Sequence, residues 1–164
     1  MATQKKRSLC FNNSGFSLSE LLTVVGVFSI LAAIAVPNIN AQMEVYRLNG
    51  AARVVLGDLM WARAKAVQEN NQFVVSFPNN ITYTIVDDDD KSGGATGTEW
   101  TRLQNIQNNY TDVTLSRREV AGVTDPDPVF SPRGTAGAMT VINVTNPSGT
   151  RTVTVRVTGS VKID

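Results

Sequence analysis

Four consecutive carboxylates, Asp87-Asp88-Asp89-Asp90, followed by Lys91-Ser92-Gly93-Gly94, form the densest set of hard-cation ligands in the chain. Oxygen donors beside a tight glycine turn can wrap calcium, but the EF-hand pattern needs glycine at its sixth place and glutamate at its twelfth, and neither fits here. The spacing favours a solvated hairpin loop, with a calcium site at these four aspartates as the alternative. Asp125-Pro126-Asp127-Pro128 sets two carboxylates two residues apart, the minimum for acid–base work. Its prolines mark it instead as a rigid loop before a strand. Arg151, Arg156 and Lys162 could meet phosphate along one sheet edge, or simply solubilise an exposed strand. Histidine is absent and Cys10 is the only cysteine. Downstream of Cys10 that removes disulfides, cysteine–histidine nucleophile pairs and most zinc sites. An enzyme is disfavoured, and no cofactor is expected beyond the calcium alternative.

The remaining chemistry is that of a membrane and a processing site. The 164 residues suffice for one domain with a modest core. Leu21 to Met43 holds 23 residues without a charge, a helix of roughly 34 Å and long enough to cross a hydrocarbon layer. Lys5, Lys6 and Arg7 precede it, which sets the N-terminus in the cytoplasm and exports the C-terminal part. Three readings compete. A permanent anchor would let Glu20 snorkel to the headgroups. An ordinary secretory signal would be cut after Ala33-Ile34-Ala35, before Val36. The third is a cut on the cytoplasmic side, between Gly15 and Phe16, that leaves the apolar helix on the mature chain. Ser8 to Ser14 separates the basic cluster from an over-long apolar run, which fits the third best.

Gly15-Phe16-Ser17-Leu18-Ser19-Glu20, followed by that run, resembles the type IV prepilin motif. The resemblance implies cleavage after Gly15 by a prepilin peptidase, N-methylation of Phe16, and Glu20 as the acidic fifth residue of the mature chain. Pro37 matches the proline that bends pilin helices. A carboxylate beside hydrocarbon costs on the order of a few kcal/mol unless it is paired. The implied partner is the terminal amine of Phe16 on a neighbouring subunit, which would set the axial register. Implied partners are other pilins or pseudopilins in a filament, the peptidase/methyltransferase, and an inner-membrane assembly platform.

Past Pro37 the helical period resumes. Val45, Leu48, Ala52, Val55, Leu59, Ala62 and Ala66 recur at steps of three and four, one face of a helix ending near Asn70-Asn71. Asn49-Gly50 is a weak point in it, since glycine costs about 1 kcal/mol relative to alanine there. From Phe73 the period becomes two. Phe73–Phe77 and Ile81–Val86 read as strands around a turn at Pro78-Asn79-Asn80; Val113–Ser116, Ala138–Val144 and Val153–Val157 follow, with a turn at Asn146-Pro147-Ser148-Gly149. The fold class is therefore α+β: a long N-terminal helix, transmembrane in its first half, on one antiparallel sheet or two small ones. The divisions are 1–15 leader, 16–43 transmembrane and assembly helix, 44–71 amphipathic second half, and 72–164 periplasmic β domain.

Residues 129 to 144, "VFSPRGTAGAMTVINV", and 151 to 163, "RTVTVRVTGSVKI", are similar to the C-terminal half of the GspH/FimT family of minor pilins and pseudopilins. Phe130, Pro132 and Gly134 match its phenylalanine-x-proline-x-glycine turn, and Thr158-Gly159 its ending. The resemblance implies a pilin-like fold and a non-catalytic subunit near the tip of a type II secretion pseudopilus. The alternatives are a minor type IV pilin priming pilus assembly, a DNA-uptake pilin, and, from another class, a membrane-anchored periplasmic enzyme. DNA is disfavoured. With Lys5, Lys6 and Arg7 set aside, twelve basic residues face fourteen acidic ones, a formal −2. Where the DNA-binding branch has Gly-Arg-x-Arg, this chain has Gly159-Ser160-Val161-Lys162. Trp61, beside the helix seam, is expected in the core or at its edge, while Trp100 is open between a flap over the sheet and a contact to a neighbour. N-terminal mass spectrometry of the mature protein is expected to find N-methylated Phe16; a chain starting at Val36 or Met1 selects one of the other readings.

Overall fold

A computed structural model describes residues 16–88 and 99–164. The leader with Gly15, and Asp89, Asp90 and the glycine-rich stretch after them, lie outside the described residues. One helix, α1, runs from Leu18 to Glu69 and continues through Pro37. The chain divides into two units, one reaching Ile39 and one from Asn40 to Asp164. In the first, α1 buries nothing among the described residues; Phe16 is 84% exposed and the apolar side chains after it are open along the helix.

In the second unit, the predicted seam is the buried one: Leu48, Ala52, Val55, Leu59, Ala62 and Ala66, joined by Ala51. Val45, expected on it, remains exposed. Small alanines bring the helix axis close to strands on the same side, so β-branched and aromatic residues fill the space between. Among the described residues ten strands follow α1. The first sheet has the order β3-β2-β1-β7, with β1 Gln72–Ser76, β2 Thr82–Asp88, β3 Thr101–Asn105 and β7 Val129–Phe130. The second has the order β10-β9-β8-β4, with β4 Thr114–Arg117, β8 Thr140–Asn146, β9 Gly149–Val155 and β10 Val161–Ile163. A two-stranded ribbon, β5 Glu119–Val120 and β6 Val123–Thr124, completes the set. Every pairing is antiparallel. Alternation delivers Phe73, Val75, Tyr83 and Ile85 from one sheet, and Leu115, Ile142, Val144, Val153 and Val155 from the other, to a single core on the helix seam.

Several strands are shifted from their sequence-based bounds. β8 runs to Asn146 and β9 starts at Gly149, because a two-residue loop, Pro147-Ser148, closes the hairpin with Asn146 opposite Gly149. The Asn146 side-chain oxygen accepts from the Ser148 amide at 3.0 Å and locks that loop. β2 continues through Asp87 and Asp88, which the sequence suggested as loop. Their partners across β1 are Phe73 and Gln72, and the side chains of Asn71 and Gln72 donate to Asp87 and Asp88. β3, β5, β6, β7 and β10 are additions. Gly50, read as a weak point in the helix, is where the Tyr110 ring packs: a Cβ there would meet Tyr110 Cε1 at 2.8 Å.

The two glycine signatures meet. A Cβ on Gly159 would sit 1.9 Å from the Gly134 carbonyl oxygen and 2.9 Å from Arg63 Nε, and Gly159 has φ +78°. Arg63 Nε donates to that same carbonyl at 2.8 Å, tying both turns to α1. Gly159→Ala therefore combines backbone overlap with a disfavoured φ, and is expected to lose roughly 3 kcal/mol or more. Gly57→Ala, at an open helical site with nothing near its Cβ, is expected to gain up to about 1 kcal/mol. Urea unfolding followed by tryptophan fluorescence checks both; equal effects would contradict the close approach.

Candidate functional site

The segment that could do work at the N-terminus is built around a helix cap. Ser17 precedes the first helical residue, and its Oγ accepts from the Glu20 amide at 3.2 Å. Its carbonyl accepts from Glu20 and Leu21 at 3.1 and 3.2 Å. Ser17-Leu18-Ser19-Glu20 thus has the serine-x-x-glutamate order of a capping box, with Glu20 third in the helix. A carboxylate there complements the positive end of the helix dipole. Glu20 is exposed, as are the apolar residues following it. The hydroxyls in this run are consumed internally: Thr23 donates to the Ser19 carbonyl at 2.9 Å and Ser29 to the Val25 carbonyl at 2.8 Å. Such bonds suit a helix in hydrocarbon, where an unpaired polar group is costly. Pro37 cannot donate to the carbonyl four residues back.

In the second unit the candidate residues are scattered. Asp87 and Asp88 lie on β2, and among the described residues no group of three or more His, Cys, Asp or Glu side chains is placed to hold a metal ion. Arg151 shares the inward parity of Val153 and Val155 and donates from Nε to Asn49 Oδ1 on α1 at 3.0 Å. Lys162 pairs with Thr154, on the opposite parity. Arg156 closes a turn, its carbonyl accepting from the Gly159 amide and its amide donating to Ser160. The three cations are not gathered on one face.

Asp125 and Asp127 are structural fasteners. Asp125 accepts from the Val141 amide at 2.9 Å and pairs with Arg118 at 3.3 Å. Asp127 pairs with Arg117 at 3.1 Å and reaches the Phe77 amide at 3.4 Å. Together they fix the loop between the β5–β6 ribbon and β7 to both sheets.

One polar cluster went unread in the sequence. Asp58 is buried on the helix seam; the Tyr83 hydroxyl donates to its Oδ2 at 2.5 Å, and Arg102 lies 3.8 Å from its Oδ1. The signal was available: Asp58 falls three after Val55 and four before Ala62, in phase with the seam. Arg102 also stacks on Trp61, its guanidinium carbon 5.4 Å from the ring centroid. Trp61 meets Phe73 edge-on at 6.4 Å, while Trp100, half exposed, leans on Trp61 at 5.5 Å. Trp100 is thus packed against Trp61, and of the two places open to Trp61 the structure takes the core edge.

A capped, exposed apolar helix joined in sequence to a helix-on-sheet domain is the pilin-like class of protein. The chain belongs to the GspH family: the family described as type II transport protein GspH matches residues 51–160, and the prokaryotic N-terminal methylation motif matches residues 10–36. By family it is a minor pseudopilin or minor pilin, a structural subunit. Among solved structures it is similar to the type IV minor pilin FimU of Pseudomonas aeruginosa, at 15% identity and TM-score 0.57, over 74% of this chain and 90% of that one. It is also similar to the minor pseudopilin EpsH of the type 2 secretion system of Vibrio cholerae, at 13% identity and TM-score 0.54, over 72% and 96%. At such identities these two establish the fold. No curated protein sequence gives a significant match.

Burial, then the bond to Asp58 and its charge, push the Tyr83 phenol far above its ordinary range. The unfolded chain releases this proton near pH 10 while the folded chain keeps it, so the linked stability is complete below about pH 10 and declines above it, by up to about 1.4 kcal/mol per pH unit. Tyr83→Phe, which takes the hydroxyl donor from the buried Asp58 carboxylate and leaves it only Arg102 at 3.8 Å, is expected to lose about 1–3 kcal/mol at pH 7. It should also flatten the fall between pH 10 and 11. Urea unfolding across that range measures both.

Proposed function

We propose that the chain is a minor pseudopilin of a type II secretion apparatus, seated at or near the tip of the pseudopilus and assisting export of folded proteins across the outer membrane. The observation that carries this is the GspH match over residues 51–160, most of the helix seam and of both sheets, on a chain whose apolar helix is capped by Ser17 with Glu20 in its first turn. In this reading a prepilin peptidase cuts between Gly15 and Phe16 and methylates Phe16. The precursor sits once through the inner membrane, N-terminus cytoplasmic and β domain periplasmic, and an assembly platform then moves it into the filament. Pro37 supplies a bend in the helix. Glu20 neutralises the terminal amine of the neighbouring Phe16, which sets the rise between subunits.

A minor type IV pilin that primes pilus assembly is the second reading, favoured by the likeness to FimU. Deleting the gene separates them: loss of exoprotein release supports the first, and loss of surface pili with intact secretion supports the second. DNA uptake is disfavoured, because Arg151 is engaged with Asn49 and Lys162 has the opposite parity. A membrane-anchored enzyme using Asp125 and Asp127 is disfavoured too, since both carboxylates are held by arginines and backbone amides.

The capping geometry sharpens the test of Glu20. Glutamine can occupy the same capping-box position without the charge. Glu20→Gln is expected to leave leader removal intact and to cut incorporation into filaments by about tenfold or more, as for an unpaired ion in a low-dielectric bundle. Ser17→Ala, which removes the cap at a cost of about 1 kcal/mol, is expected to leave incorporation nearly unchanged. Quantified filament fractions check both. Wild-type incorporation of Glu20→Gln would show that Glu20 serves the cap rather than the neighbour.

A further inference from the structure

On a flank of α1 beside the buried seam, Trp61, Lys65 and Glu69 recur at steps of four through the last turns of the helix. With Phe73 of β1, Asp87 of β2 and Trp100, the residue before β3, they line an open cavity of about 360 Å³. That volume lies within the range of small-ligand sites. The Asp87 amide donates to the Trp100 carbonyl at 3.0 Å and holds Trp100 beside β2. The two indole rings, 5.5 Å apart and inclined at 42°, make a concave aromatic corner with Phe73 edge-on behind Trp61. Trp100 is 49% exposed, so part of its indole is open to a ligand.

The rim narrows the chemistry. An anionic ligand would meet the carboxylates of Glu69 and Asp87. A cationic one would meet the Lys65 ammonium, 5.8 Å over the Trp61 ring, and the Arg102 guanidinium, 5.4 Å from the same ring. The formal charges of these four groups cancel. A wholly apolar ligand would strip water from ionised groups and replace none of its hydrogen bonds. What fits is a neutral ligand with one apolar face and many hydroxyls. The negative face of an aromatic ring attracts slightly positive C–H hydrogens. Hydroxyls both donate and accept, so they satisfy carboxylate and ammonium alike. Lys65 gives one of its three hydrogens to Glu69 Oε1 at 2.7 Å and has others to offer. A β-linked pyranose, whose equatorial hydroxyls leave a flat C–H face, presents both features.

We propose that the Trp61–Trp100 corner binds a neutral glycan, one β-linked pyranose stacking on Trp100 while Lys65, Glu69 and Asp87 take its hydroxyls. The cavity lies within the helix-on-sheet unit, and its ligand does not depend on which machine the filament serves.

Both tryptophans of the chain line the cavity, so their emission reports on it directly. Full-length protein, in a detergent without a sugar headgroup, is titrated with cellotetraose, a plain β-linked glucan, and with N-acetylated chitotetraose. A saturable change in emission with one or both is expected, with calorimetry giving the affinity; the arm that binds identifies the source. Sorbitol, which has the hydroxyls but no ring, should produce no change. Trp100→Ala should weaken binding about tenfold, as for one lost stacking partner, and Trp100→Phe about threefold. Trp100 is half exposed, so thermal unfolding of both variants should match the parent, which separates lost binding from lost folding. For a neutral ligand the parent's affinity should change less than about twofold between low and high salt. The proposal is overturned by no binding to either glycan, by an equal response to sorbitol, by unchanged affinity in both Trp100 variants, or by affinity that falls steeply with salt.

Discussion

The close approach of two glycine turns to one arginine of the helix is the constraint on which the β domain depends. Gly159 lies so near the Gly134 carbonyl that no side chain fits between them, and Arg63 bonds the same oxygen. The connection from β7 to β8, the turn from β9 to β10 and the middle of α1 are thereby fixed at one point. Both sheets then take their places on the seam: Phe130 is paired to β1 just before the first turn, and β9 ends just before the second. Without glycine at 159 the two backbones could not come this near, while Gly134 serves the junction through its φ of +75° and the room it leaves for Val67 and Arg63.

The carboxylates that looked most like reagents have become fasteners. Asp125 and Asp127 are spaced by prolines that hold the loop extended, and each reaches a backbone amide on one side and an arginine on the other. Burial of such groups is tolerable only when every charge is met. Asp58 follows the same rule inside the core, with Tyr83 and Arg102 as its partners. Acidic residues here organise a small two-sheet domain that has no disulfide downstream of Cys10 to help it.

How far the sequence carried is a matter of period and length. The second half of the helix was legible because alternating steps of three and four run from Val45 through Gly50 and stop where the period becomes two; the first half was legible only as an uncharged run of membrane length. Hairpin β8–β9 was legible from its turn residues, though its bounds moved once the two-residue loop set the register. β3 was not legible, because Thr-Arg-Leu-Gln-Asn has the polarity of a loop and becomes a strand only by pairing with β2. β10 is too short to show a pattern. The exposure of Val45, the buried Asp58 and the packing of Tyr110 on Gly50 depend on which residues, far apart in sequence, arrive beside the helix. The N-terminal signature was readable because it is local: glycine, aromatic, acid and apolar run at fixed spacing. The Arg63 junction had no local trace, since its partners lie 71 residues or more downstream.

The serine cap at Ser17 has an electrostatic corollary. A chain cut after Gly15 would begin a single residue ahead of that cap, with a cationic amine held against the end of the helix where the peptide dipoles leave their positive pole. Its own helix repels that charge, and the hydroxyl that could have softened the field is already committed to an amide. A terminus made there would thus meet repulsion from its own helix end, and a carboxylate, whether Glu20 of the same chain or one from outside, would offset it.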